Sequence, residues 1–96
     1  MDILPAELKQ ALTAGKPVTL IDVREELEFN TFNIGGINVP LGRLPSFLED
    51  GDFDTDAEIV VICQRGLRSE TARRQFVAAG YLNVKNLKGG LLSYNR

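Results

Sequence analysis

The stretch that decides the fold lies between residues 59 and 69 and reads Ile59-Val60-Val61-Ile62-Cys63-Gln64-Arg65-Gly66-Leu67-Arg68-Ser69. Its first five residues are apolar without a polar interruption, which indicates a strand buried on both faces. The segment after Ser69 places Ala72 and Phe76 at helical spacing and stops at Gly80, a typical residue just beyond a helix. Cys63 is therefore predicted at the carboxyl end of a parallel strand, where open α/β sheets bind ligands.

The rest of the chain alternates strand and helix patterns separated by glycine or proline. The predicted strands are Val18–Val23, Ile37–Val39 (ended by Pro40), Ile59–Cys63 and Asn83–Leu87, and the predicted helices are Pro5–Leu12, Glu25–Phe29, Leu44–Leu48 and Ser69–Ala79. Such alternation implies βαβ units and a mainly parallel sheet covered on both faces. We expect one compact α/β domain over residues 1–96.

The composition excludes several classes of function. With 11 basic and 13 acidic residues, a net charge of −2 and no block of one sign, the composition argues against a general affinity for nucleic acid or anionic membranes, although it allows a local basic pocket. One cysteine cannot form an intramolecular disulfide, and without histidine there is no zinc-type ligand set. We therefore expect no metal and no other cofactor, and a Cys–His mechanism is excluded because the general base is missing.

The N-terminal residues, Met1 to Pro5, have neither a basic region nor a long apolar stretch, so we expect no signal peptide. No run of the sequence is long enough to span a membrane. A functional thiol persists in a reducing compartment, which favours a cytoplasmic location.

The surroundings of Cys63 favour an activated thiolate. A free thiol titrates at about 8.5, and helix N-termini and nearby cations lower that value. Gly66 allows a tight turn that presents backbone N–H groups, and Arg65 and Arg68 can hold an anion through forked donors. A lone buried cysteine is more often an inert hydrophobe, but the glycine, the two arginines and the helix start together favour a functional one.

These segments carry a resemblance to a known family. The chain resembles a single rhodanese domain over nearly its whole length, and four segments are similar to the family's motifs: Leu20–Phe29 with its Asp-Val-Arg-Glu run, Ile34–Leu41 with its glycine turn, Cys63–Ser69 as Cys-x-x-Gly-x-Arg-Ser, and Lys88–Gly90 as a closing Gly-Gly turn. The resemblance implies a three-layer α/β/α fold with a mainly parallel sheet of about five strands.

The resemblance also implies an activity and a set of site residues. It makes Cys63 the acceptor of a sulfane sulfur, which is held as a persulfide and passed to a thiol, cyanide or a partner protein. Asp22 and Arg24 would be structural residues near the site. The substrate-binding loop would consist of Gln64, Arg65, Gly66, Leu67, Arg68 and Ser69, whose backbone amides cradle the outer sulfur while Arg68 favours anionic forms.

The donor and the acceptor stay open at this point. The family often has arginine at the second loop position, where this chain has Gln64, and this affects the choice of donor more than the chemistry. Thiosulfate, a persulfide and a cysteine desulfurase are all candidate donors. The loop looks most like those of rhodanese domains that serve sulfur-carrier activation in molybdopterin, thiamine and tRNA thiolation pathways, and a monomer is the simplest expectation.

Three other functions are alternatives to sulfur transfer: a phosphatase, an arsenate reductase and a non-catalytic docking module. A phosphatase of the same fold needs Cys-x5-Arg, but position 69 is serine and Arg68 comes one residue earlier, which makes a tighter pocket. No other residue supports an arsenate reductase. A non-catalytic docking module typically lacks the cysteine, whereas this chain keeps Cys63.

Overall fold

The computed structural model describes residues 1–51 and 53–96, and its strands form one sheet in which every pairing is parallel. The strands are β1 (Asp2–Ile3), β2 (Thr19–Asp22), β3 (Ile37–Asn38), β4 (Ile59–Ile62) and β5 (Val84–Leu87). The helices are α1 (Pro5–Thr13), α2 (Glu26–Thr31), α3 (Leu44–Asp50), α4 (Leu67–Ala78) and α5 (Gly90–Tyr94), with a 3₁₀ turn at Leu41–Arg43. The predicted α/β fold with a parallel sheet of about five strands is confirmed.

The sheet has helices on both faces, and the alternation of side chains along β4 separates the two cores. Ile59, Val61 and Cys63 belong to the core that contains Phe76 of α4 and Leu44 of α3. The other core contains the remaining β4 side chains together with the apolar residues of α1 and α5, namely Val60, Ile62, Leu8 and Leu91. Because both faces are covered, β4 needs an uninterrupted apolar run, and this is the pattern its sequence shows.

The order of the strands places Cys63 at a crevice. Across the sheet the order is β1, β5, β4, β2, β3, so β3 and β4 lie on opposite sides of β2 although they follow each other in the chain. The loops leaving the carboxyl ends of β2 and β4 therefore diverge, which opens a gap between them. Arg24 follows β2 at this edge and Cys63 follows β4.

Three elements were absent from the sequence-based prediction, namely β1, α5 and the 3₁₀ turn at Leu41–Arg43, and several predicted bounds differ from the observed ones by one or two residues. Strand β1 has only two residues, too few for a period of two to be seen, and it forms by pairing with β5 at the edge of the sheet. Helix α5 begins at Gly90, the second residue of the Gly-Gly pair that was predicted as a turn. Helix α4 begins at Leu67 rather than Ser69, because Gly66 takes the left-handed conformation directly before it.

Helix α5 fixes the backbone of the loop that carries Cys63. The N–H of Leu91 donates to the carbonyl oxygen of Cys63, and the N–H of Leu92 donates to that of Gln64, each at 3.0 Å. The chain can approach this closely because residue 90 is glycine. A Cβ on Gly90 would lie 2.5 Å from the carbonyl carbon of Gln64 and 2.6 Å from the nitrogen of Arg65. The first turn of α5 thus holds the backbone of the loop that carries Cys63.

No helix in the described ranges has the length and the apolar character needed to span a membrane.

The close approach of Gly90 to the backbone of Gln64 and Arg65 predicts that Gly90→Ala destabilises the protein more than Gly15→Ala does. Both glycines have positive φ, +64° and +71°, so each substitution carries a similar backbone strain of about 1–2 kcal/mol. A Cβ on Gly15 meets nothing within 4 Å, whereas one on Gly90 collides with backbone atoms, which adds about 1–3 kcal/mol. Urea unfolding of both variants measures the difference, and equal losses of unfolding free energy would show that the loop yields without cost.

Candidate active site

Backbone N–H groups surround the sulfur of Cys63. This residue is 1% exposed, and its Sγ accepts hydrogen bonds from the N–H of Gly66 at 3.0 Å and the N–H of Ser69 at 3.4 Å. Gly66 has φ +94°, a conformation that lets the chain turn back over the sulfur at the start of α4. The loop and the first turn of the helix thus form a cradle for a negatively charged sulfur.

A second layer of hydrogen bonds connects this cradle to β5. The hydroxyl of Ser69 lies 3.2 Å from Sγ and also donates to the side-chain oxygen Oδ1 of Asn86. The amide nitrogen Nδ2 of Asn86 donates to the carbonyl oxygen of Gly66 at 3.0 Å, which orients Oδ1 toward Ser69. The single proton of the hydroxyl therefore has two acceptors within reach, the sulfur of Cys63 and Asn86.

Asn86 was not among the predicted site residues. A signal for it exists in the sequence, because Asn86 lies inside the predicted strand Asn83–Leu87 and a polar amide in a buried strand needs a partner. In the structure Asn86 is 6% exposed. Only the tertiary structure identifies that partner as the loop that carries Cys63, since 20 residues separate Asn86 from Gly66.

Two opposing effects set the pKa of the Cys63 thiol. Burial raises it, because a charged sulfur is poorly solvated in this environment. Hydrogen bonds from the Ser69 hydroxyl and from the N–H groups of Ser69, Arg65 and Gly66 lower it, and together they outweigh burial, so the pKa lies below its ordinary value. The sequence-based hypothesis assigned part of this effect to arginine charges, whereas the largest favourable contributions here come from the cradle.

The sulfur faces an open pocket of about 270 Å³. The residues that line it are Glu28, Cys63, Gln64, Arg65, Leu67 and Arg68. Two of the predicted substrate-binding residues, Gly66 and Ser69, do not line this pocket. They contact the buried side of the Cys63 sulfur through the hydrogen bonds described above. The guanidinium of Arg65 makes no hydrogen bond or ion pair within the described residues, and that side chain is exposed.

Arg68 has a partner that the sequence-based analysis did not assign. Its Nη1 donates to Oε1 of Glu28 at 2.7 Å and its Nη2 donates to Oε2 at 3.0 Å. These hydrogen bonds are the main reason that the pKa of Glu28 falls to about 2 and that the pKa of Arg68 is raised. Glu28 lies in the segment Leu20–Phe29 that resembles a family motif, but its contact with Arg68 joins residues 40 positions apart.

Asp22 and Arg24 form a buried ion pair outside the lining of this pocket. Arg24 Nη2 donates to Asp22 Oδ2 at 2.8 Å, and Arg24 Nε donates to Oδ1 at 3.0 Å. Nη2 also donates to the carbonyl oxygen of Phe32 at 2.7 Å. Through this pair the end of β2 holds the end of α2, the helix that carries Glu28.

No cluster of three or more His, Cys, Asp or Glu side chains suited to a metal ion is found in residues 1–51 and 53–96.

Comparison with known proteins identifies the family. The chain matches the rhodanese-like domain family over residues 4–96, and it belongs to that family. It is 31% identical to the thiosulfate sulfurtransferase GlpE of Shewanella oneidensis, a match that covers 88% of this chain and 82% of that protein. A rhodanese-like domain protein of Staphylococcus aureus has a similar structure, with a TM-score of 0.86 and 27% identity over 98% of this chain and 91% of that one.

Other relatives are much longer. The chain is 33% identical to the adenylyltransferase and sulfurtransferase uba4 of Pyricularia oryzae, over 92% of this chain but only 22% of that protein. The chain thus spans less than a quarter of the length of several curated relatives that it matches. Relatives named as sulfurtransferases occur at about 30% identity both among these long proteins and among proteins of similar length.

The hydrogen bonds around the sulfur predict that Ser69→Ala raises the pKa of Cys63, because the hydroxyl is lost while the Ser69 N–H remains. The rate of thiol alkylation as a function of pH reports this pKa, and its midpoint should move to higher pH. The free energy of unfolding should fall by about 1–3 kcal/mol, because Oδ1 of Asn86 loses its donor in the interior.

Ser46→Ala, an exposed serine on α3, is the matched control and should change neither measurement. If Ser69→Ala lowers stability but leaves the alkylation midpoint unchanged, the hydroxyl proton belongs to Asn86 rather than to the sulfur.

Proposed function

We propose that this protein is a sulfurtransferase that carries a sulfane sulfur on Cys63 as a persulfide. The observation that carries the proposal is the position of the Cys63 Sγ. On its buried side it accepts hydrogen bonds from the N–H groups of Gly66 and Ser69, and on its opposite side it borders an open pocket. This arrangement stabilises a thiolate and leaves room beyond it for one further atom and its donor. Membership of the rhodanese-like family supports the same chemistry.

In the loading step the thiolate of Cys63 attacks the outer sulfur of a donor such as thiosulfate or a persulfide. A new sulfur–sulfur bond forms, and the bond within the donor breaks with its electron pair leaving on sulfite or on a thiolate. The N–H groups of Gly66 and Ser69 hold the attacking sulfur, and the outer sulfur of the product enters the pocket beside Gln64 and Arg65.

In the discharge step a nucleophile attacks the outer sulfur, and Cys63 leaves as the thiolate. With cyanide the product is thiocyanate, and with a thiol it is a new persulfide. The lowered pKa of the Cys63 thiol favours this step because it makes the thiolate a better leaving group. The same hydrogen bonds therefore serve both half-reactions.

A phosphatase reaction is less well supported by this site. Phosphate esters are dianions that such enzymes bind through a free arginine in the cysteine loop. Here Arg68 follows Cys63 at the fifth position, and both of its terminal nitrogens donate to Glu28. A docking module without chemistry would not need the cradle of N–H groups around Sγ.

The proposal extends to partners and compartment. A cysteine desulfurase as donor and a sulfur-carrier protein as acceptor fit a persulfide relay, and the combined adenylyltransferase and sulfurtransferase name of one relative supports this direction. We infer a single rhodanese-like domain over residues 1–96 that acts as a monomer in a reducing cytoplasm, without a metal or other cofactor.

The central test is Cys63→Ser. Because one atom changes and no other cysteine exists in the chain, we expect loading to fall by more than about a thousandfold. The protein is incubated with thiosulfate and separately with a small-molecule persulfide, and intact mass is measured before and after cyanide. The wild type should gain one sulfur atom, which cyanide removes as thiocyanate.

Thermal unfolding of Cys63→Ser provides the control for folding, and Lys85→Ala, a charge change on β5 outside the pocket, provides the control for activity. Sulfur retained by Cys63→Ser would remove Cys63 as the acceptor. Absence of sulfur on the wild type with both donors would contradict the proposed function.

A further inference from the structure

Glu28 places a carboxylate in the same pocket as the reactive sulfur. The first turn of α2 fixes it, since its Oε1 accepts the backbone N–H of Glu25 at 3.0 Å in addition to the Arg68 hydrogen bond. Arg24 fixes the end of the same helix through the carbonyl oxygen of Phe32. The carboxylate of Glu28 is therefore held in a fixed position in the wall of the pocket.

The Glu28–Arg68 contact changes what the pocket can bind. Both terminal nitrogens of Arg68 donate to the carboxylate, so an incoming anion has to compete for them. The lining holds two cations, Arg65 and Arg68, and their charges are balanced by Glu28 and the Cys63 thiolate. The side chains of Glu28 and Arg68 are 37% and 38% exposed, so solvent screens their charges only in part.

We propose that Glu28 is a specificity-determining residue that disfavours doubly charged sulfur donors and thereby selects donors with no more than one negative charge at the reactive group, the class that includes persulfides. This inference rests on the proposed sulfurtransferase function. Its physical basis is that a carboxylate in the pocket repels a dianion about twice as strongly as a monoanion at the same position.

Two sulfur donors that react in the same way but carry different charges can test this proposal. Thiosulfate carries two negative charges, and methanethiosulfonate carries one because a methyl group replaces one oxygen. The Cys63 thiolate attacks the outer sulfur of either, a sulfur–sulfur bond forms, and the electron pair of the broken bond leaves on sulfite or on methanesulfinate. No external oxidant or reductant is needed. The ratio of the two loading rates therefore reports how the pocket discriminates by charge.

The test compares the full chain with its Glu28→Gln variant in single-turnover loading by each donor, followed by intact mass. Removing one negative charge should raise the second-order loading rate with thiosulfate by roughly tenfold and that with methanethiosulfonate by about threefold. The rate with thiosulfate should also become more sensitive to ionic strength in the variant, because the pocket then has a net positive charge. A residue that only maintained the fold would not change this salt dependence.

Two variants control for position and for overall charge. Glu26→Gln removes the same charge from the same helix, but Glu26 faces Arg43 at 3.9 Å and does not line the pocket, so the donor ratio should stay at its wild-type value. Glu28→Asp keeps the charge with a shorter side chain and should also keep the ratio. If Glu28→Asp changes the ratio as much as Glu28→Gln, geometry rather than charge determines it and the proposal is wrong.

The outcomes distinguish this inference from the proposed function. If both donors load Cys63 and the ratio is the same in wild type and Glu28→Gln, the charge discrimination is overturned while sulfur transfer stands. If neither donor loads the wild type, the proposed function fails and this inference fails with it.

Discussion

The backbone geometry of the loop from Cys63 to Ser69 constrains everything else at the site, because it directs backbone N–H groups onto the buried sulfur of Cys63. That geometry is held from several sides. Gly66 supplies the left-handed turn, Asn86 of β5 binds its carbonyl oxygen, and α5 donates to the carbonyl oxygens of Cys63 and Gln64. Each of these bonds satisfies a polar group that burial would otherwise leave without a partner. The requirements of folding and of thiolate stabilisation therefore coincide in this loop.

The charges around the sulfur act differently from the hydrogen bonds. The pKa of Cys63 is lowered mainly by uncharged donors, which act at contact distance and are little affected by salt. The arginine of the Cys-x-x-Gly-x-Arg-Ser motif, Arg68, is paired with Glu28 and so contributes little free positive charge. Because uncharged donors stabilise the thiolate, the protein lowers the pKa of Cys63 without making its pocket attractive to every anion.

Much of the architecture could be predicted from the sequence because it follows from local patterns. The unbroken apolar run of β4 requires cover on both faces, and the position of Cys63 at its end required no tertiary information. Strand β1 and helix α5 could not be predicted, since two and five residues are too short for periodicity to be seen. Strand β1 is stabilised by pairing with β5, and α5 by hydrogen bonds to the loop that carries Cys63.

The sequence by itself determined the parallel α/β fold, the position of Cys63 at the end of a strand and the loop that follows it, because each depends on residues adjacent in the chain. Only the tertiary structure decided the partners of that loop. Asn86 and Glu28 approach it from β5 and α2, and Gly90 is required because α5 passes against it. Hydrogen bonds and charge pairs depend on distance in space, and strand order sets that distance for residues 17 to 40 positions apart.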